Sequence, residues 1–166
     1  MLIEWFTPVF KALHISAIAL WAVGLMMLPL LFRAYRPQMS DTGYIRFRQL
    51  THYSYIRFLT PSAVIAVGTG IVLIALRGIF EPWLFAKLAL VSLLAVLHAY
   101  VGHMIVQTAE TRGRVQLPPP IVVLAPVMLV LAGILVLVLA KPPLAVDWPK
   151  WMTEPQSFSI PRWVPI

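Results

Sequence analysis

Four long apolar stretches, separated by short polar segments, set the pattern of the chain. They cover about 7–32, 55–76, 82–107 and 121–140, and within the first no charged residue falls between Ile15 and Phe32. Each meets the roughly 20 mostly apolar residues that a helix needs to cross a bilayer. Short connections between consecutive spans favour antiparallel neighbours. The pattern therefore predicts an all-α integral membrane four-helix bundle of up-down topology. Pro82 opens the third span, where a missing N–H costs nothing. Pro118, Pro119 and Pro120 close the segment before the fourth. Pro29, Pro61 and Pro126 fall inside spans and predict kinks that free backbone carbonyls.

The polar segments orient the bundle. Arg33, Arg36, Arg46 and Arg48 lie between spans one and two, with Arg57 just inside span two, and Arg112 and Arg114 lie between spans three and four. The turn from Arg77 to Glu81 carries one Arg and one Glu. The positive-inside rule puts both Arg-rich segments in the cytoplasm and both termini outside, as expected for a bacterial inner-membrane protein. The first span is too long for a secretory signal, and no small-residue cleavage site follows it, so it is expected to be retained. From Lys141 to Ile166 the character changes. This segment holds six of the 15 prolines and three of the six tryptophans, Trp148, Trp151 and Trp163. Too proline-rich for a helix and too poor in aliphatic residues for a core, it is expected to lie extended on the outer face. There it either rests at the headgroups or docks on subunits of a membrane complex.

Composition narrows the class further. Of 166 residues, 60% are hydrophobic and 11% charged, with mean hydropathy +0.86, against about 25% charged in a soluble domain. The net charge of +7 encodes topology rather than nucleic-acid binding, because no soluble basic domain exists to carry it. With no cysteine, a c-type haem attachment and an iron–sulfur cluster are excluded. No nucleophile elbow, P-loop or zinc signature is present. Met26, Met27 and Met104 are copper-type donors, but no Met or His cluster gathers them.

Ionisable groups inside spans are costly and usually functional. This chain places Lys11 and His14 in span one, Lys87, His98 and His103 in span three, and His52 just before span two. His14 and Lys87 both lie a short way in from the outer face, about 10 Å down for His14, so the two share a level. Eleven residues separate Lys87 from His98, which brings them to within about 20° on one helical stripe but about 16 Å apart in depth. Val91 and Leu94 complete that stripe, whereas His103 points away from it. Lys87 is open to three readings: snorkelling to the outer surface, ligating a metal as a neutral amine, or pairing with a carboxylate. Lys11 is expected to snorkel and His52 to sit at the membrane surface. His98 on its own is read as making an interhelical hydrogen bond to a Ser or Tyr.

These residues resemble a known family. Lys11-Ala-Leu-His14 with Trp21, Gly24 and Leu28-Pro29, then Thr60-Pro61-Ser62-Ala63, are similar to the first two spans of the HemJ-type protoporphyrinogen oxidases. Trp83-Leu-Phe-Ala-Lys87-Leu and His98-Ala-Tyr100-Val-Gly102 resemble their third span, and Lys141-Pro142 their ending. Copper-resistance membrane domains of the CopD type share the layout more loosely. The resemblance implies haem b inside the bundle, an essential histidine and lysine matching His14 and Lys87, and six-electron oxidation of protoporphyrinogen IX. The chain departs from the pattern after Pro29, where Leu30, Leu31 and Phe32 replace a basic residue and a later histidine, and at Gln116–Val123, where an Asn-Glu pair is missing. Retained ligands beside lost polar groups lead us to expect a haem b subunit for electron transfer or an accessory role in a larger redox complex. An enzyme that oxidises protoporphyrinogen IX is the alternative, and a copper transporter or donor the third reading. The expected cofactor-binding residues are His14, Lys87 and His98, with His14 and Lys87 at the haem iron and His98, if it faces inward, ligating a separate, deeper haem or holding a propionate.

Overall fold

The computed structural model describes residues 2–35, 38–78, 81–110 and 117–140, with side chains from Phe6 onward. Every regular element among them is helical. Helix α1 covers Leu2–Leu31 and ends in a 3₁₀ turn, Phe32–Ala34; α2 is Asp41–Ser54, followed by a π-helical turn at Tyr55–Leu59; α3 is Thr60–Arg77, α4 Pro82–Glu110 and α5 Pro120–Ala140. Four helical stretches are long and apolar enough to cross a membrane: Phe6–Ala34, Asp41–Arg77, Pro82–Glu110 and Pro120–Ala140. The chain is an integral membrane protein by this measure. The Pro/Trp-rich tail, Arg36, Arg112 and Arg114 lie outside the described residues.

Contacts between helices give their relative directions. His14 of α1 meets Ala66 and Thr69 of α3, while Gly24 further along α1 lies against Leu59, so α1 and α3 run antiparallel. His14 lies near Lys87 and Trp21 bonds to His98, so α1 and α4 run the same way. The largest contacts join α1 to α3 and α4 to α5, and α1 also packs on α5. Helices α3 and α4, although joined by a short turn, make no comparable contact. The core is a stripe of α1 (Ala17, Trp21, Leu25, Leu28 and Phe32) closed by Leu94, Val101 and Met104 of α4 and Val123, Val127 and Val130 of α5. Outward-facing residues such as Leu129, 72% exposed, and Leu139, 78% exposed, would be a liability in water. In a bilayer they are the lipid-facing surface.

The segment before the second span corrects the reading from hydropathy. Residues 41–54 form α2 instead of a loop, and Asp41–Arg77 runs as one helical stretch of 37 residues. At 1.5 Å per residue that is about 55 Å, against a hydrocarbon core of about 30 Å. Ser40 caps α2 by accepting a hydrogen bond from Gly43 N–H, the usual role of serine at this position. One face of α2 buries Tyr44, Phe47 and Thr51, and Tyr44 donates to the carbonyls of Thr108 and Ala109 at the end of α4. The π turn sits just before Pro61. Proline has no N–H to bond four residues back and its ring crowds the carbonyl there, and the wider turn accommodates this, with Thr60 N–H reaching Tyr55 O. At the other end, Gly78 closes α3 in the left-handed conformation (φ 58°) with its N–H on Ile74 O, a backbone state that glycine adopts without strain.

Candidate functional site

His14 is half-buried on the inner stripe of α1. Its Nδ1 lies 2.8 Å from the Ala66 carbonyl and 3.1 Å from Thr69 Oγ1. A carbonyl can only accept, so Nδ1 carries the proton and donates. Thr69 is itself fixed by donating to Ile65 O and Ala66 O. In the neutral ring the lone pair then lies on Nε2, the arrangement usual for a metal-ligating histidine whose other nitrogen bonds a backbone carbonyl. Gly70 makes this seat possible, because a Cβ there would stand 3.0 Å from His14 Cε1.

Lys87 lies on α4 close enough to act electrostatically on His14. It is half-buried, and among the described residues no acidic side chain pairs with it. An ammonium in a span without a counter-charge is costly, which makes it a natural partner for an anion or, as a neutral amine, for a metal. The structure thus sets Lys87 within electrostatic reach of His14. Lys11 is exposed, as is His52; His103 is exposed as well, with its Nε2 2.9 Å from Gln107 Nε2.

His98 occupies a deeper level. Lys87, Val91, Leu94 and His98 do share the inner stripe of α4, with Leu94 fully packed. The partners of His98 are Trp21 and Tyr55: of the expected Ser or Tyr it is a Tyr that bonds it, at the backbone carbonyl and not at the ring. Trp21 Nε1 donates to His98 Nδ1 at 3.3 Å, and the Trp21 ring meets the imidazole edge-on at 6.1 Å. Tyr55 stacks on the same imidazole at 4.9 Å and 28°, and its hydroxyl donates to the His98 carbonyl at 3.4 Å. Sequence reasoning passed over Trp21 and Tyr55 as site residues. A signal existed for each: Trp21 is seven residues, two helical turns, beyond His14, and Tyr55 stands six residues before a proline in a span. Copper-type donors do not converge: Met104 is buried in the core, Met27 faces outward, and no group of three or more His, Cys, Asp or Glu forms among the described residues.

No protein-family model matches the chain, and no solved structure matches it. The looser likeness to copper-resistance domains therefore gains no support. Two curated proteins from Helicobacter pylori, strains J99 and 26695, are each 33% identical to this chain over 97 residues. Both are named protoporphyrinogen IX oxidase. The match covers 54% of this chain and 64% of each relative, so the chain spans under two thirds of the length of the curated relatives it matches. The comparisons favour the oxidase alternative over the accessory electron-transfer subunit, for which they offer nothing.

Proposed function

We propose that this protein is a HemJ-like membrane oxidoreductase that binds haem b within its bundle and oxidises protoporphyrinogen IX. The observation that carries the reading is His14, whose Nδ1–H is bound by the Ala66 carbonyl. Its Nε2 lone pair is left available within electrostatic reach of Lys87, which pairs with no acidic side chain among the described residues, in a chain similar to proteins named for that reaction. The donor chemistry fits a haem: an imidazole held in the ligating tautomer, and an amine at the same level. His14 through Nε2 and Lys87 through Nζ are the groups that would hold the iron. When bound, haem b supplies a one-electron redox centre. The protein's own part is to fix the imidazole through Ala66 and Thr69 and to exclude water through the packed stripe below.

Oxidation of protoporphyrinogen IX to protoporphyrin IX removes six electrons and six protons. The electrons leave for an external acceptor, and a lipid-soluble quinone is the class that reaches a site inside the bilayer. Optical spectra of the detergent-purified protein, oxidised and dithionite-reduced, with a pyridine haemochrome count, test the cofactor. Anaerobic addition of protoporphyrinogen IX with a quinone, followed by the growth of protoporphyrin fluorescence, tests the reaction. A b-type α-band with quinone-dependent fluorescence is expected. A b-type spectrum without turnover returns the protein to electron transfer, and absence of haem removes the His14/Lys87 assignment.

A further inference from the structure

The two span histidines are held in opposite tautomers. His14 donates from Nδ1 to a carbonyl. His98 accepts at Nδ1, because the indole N–H of Trp21 can only donate. The proton of the neutral His98 ring is therefore on Nε2, and His98 has no further polar side-chain partner among the described residues. A ring in this state presents an N–H, not a lone pair, and its other nitrogen is already engaged. It is built to donate to an acceptor and ill-suited to ligate iron.

Its orientation is fixed from two sides. Trp21 is almost fully buried, at 3% exposed. Tyr55 is stacked across the imidazole. The Tyr55 hydroxyl occupies the space that a Cβ at position 102 would need, so Gly102 is what lets the ring reach α4. The level is informative as well. Trp21 follows His14 by seven residues, which returns it to the same face of α1 about 10 Å along the axis. That separation is comparable with the reach from the centre of a porphyrin ring to the carboxylate at the end of its propionate. A half-buried N–H in a span needs an acceptor, and a tetrapyrrole centred at His14 brings a carboxylate to this level.

We infer that His98 is the N–H donor that anchors a tetrapyrrole carboxylate, and that Trp21 and Tyr55 are its positioning residues. The inference rests on the tetrapyrrole reading of the preceding subsection, but it assigns His98 to the carboxylate end and away from the iron.

The full-length protein in nanodiscs, free of haem, is titrated with protoporphyrin IX and with its dimethyl ester, followed by porphyrin absorbance. A charge-assisted hydrogen bond gives the wild type a preference of about tenfold or more for the free acid. Comparing the acid/ester ratio between proteins cancels the difference in lipid partitioning of the two porphyrins. His98→Ala lowers the acid/ester ratio about tenfold or more from its wild-type value, the loss expected without the charge-assisted bond. His98→Gln, which keeps an amide N–H, retains part of the preference. Trp21→Phe frees the His98 proton to move to Nδ1 and lowers the ratio. An acid/ester ratio in His98→Ala equal to that of the wild type, with both porphyrins bound tightly, overturns the anchor and leaves tetrapyrrole binding intact. Binding of neither overturns the tetrapyrrole reading together with the anchor. In the haem-loaded protein, a change from low-spin to high-spin iron on His98→Ala would make His98 an axial ligand and overturn the assignment.

Discussion

Single atoms decide what the two histidines do. Replacing His14 by Ala is expected to abolish the b-type Soret band while the protein still inserts and purifies at wild-type yield; haem retained at full occupancy removes His14 from the site. The seat of His14 is testable without touching the imidazole. A methyl at position 70 would press on Cε1, so Gly70→Ala is expected to lower the haem-to-protein ratio. Gly68→Ala, where a Cβ meets nothing within 4 Å, is the matched control and should leave the ratio unchanged. Much of this scale was legible in the sequence. Counting residues from the membrane face was enough to put His14 with Lys87 and to keep His98 apart, because helical rise converts position into depth. What counting does not give is rotation between helices. The Trp21–His98 bond depends on how α1 faces α4, and the tautomer of each histidine depends on which partner that rotation delivers.

At the scale of elements, close approaches at glycine separate two kinds of contact. A Cβ at Gly102 would collide with the ring and hydroxyl of Tyr55, a rigid group stacked on His98, whereas one at Gly24 would meet mainly the end of the flexible Leu59 side chain. Gly102→Ala is expected to cost about 1–3 kcal/mol as overpacking with displacement of Tyr55, and Gly24→Ala markedly less. Thermal unfolding in detergent should show a clear drop in midpoint for the first and a small one for the second; equal effects would mean that Tyr55 moves aside freely. Four long helices were visible as apolar runs, but α2 was not. Its composition is too polar for a hydropathy window, and it folds through the spacing of Tyr44, Phe47 and Thr51 on one face, a periodic signal weaker than the arginines that mark the same segment. The π turn leaves no hydropathy trace at all. Pro61 was its only herald, and a proline alone does not distinguish a kink from a widened turn.

Across the whole molecule, the arginine distribution predicts the sidedness. A C-terminal alkaline phosphatase fusion is expected to be active and a C-terminal green fluorescent protein fusion dark in a bacterial host, since both termini should lie outside the cytoplasm; the reverse pair of results would invert the bundle. The close packing of α1 on α3 and the slight contact of α3 with α4 were not readable, because chain adjacency says nothing about which faces meet. One consequence reaches beyond the site. A π turn holds one residue more than the α-helix around it, and so acts as a reservoir for a change in chain length. Removing a residue from regular helix between the π turn and its membrane anchor rotates everything before it by about 100° and would carry Tyr44 off the Thr108 and Ala109 carbonyls. Removing Ile56, which is 49% exposed within the π turn, lets the turn tighten while the helices on either side keep their facing. The chain therefore has room for a one-residue deletion in the π turn that it lacks within α3.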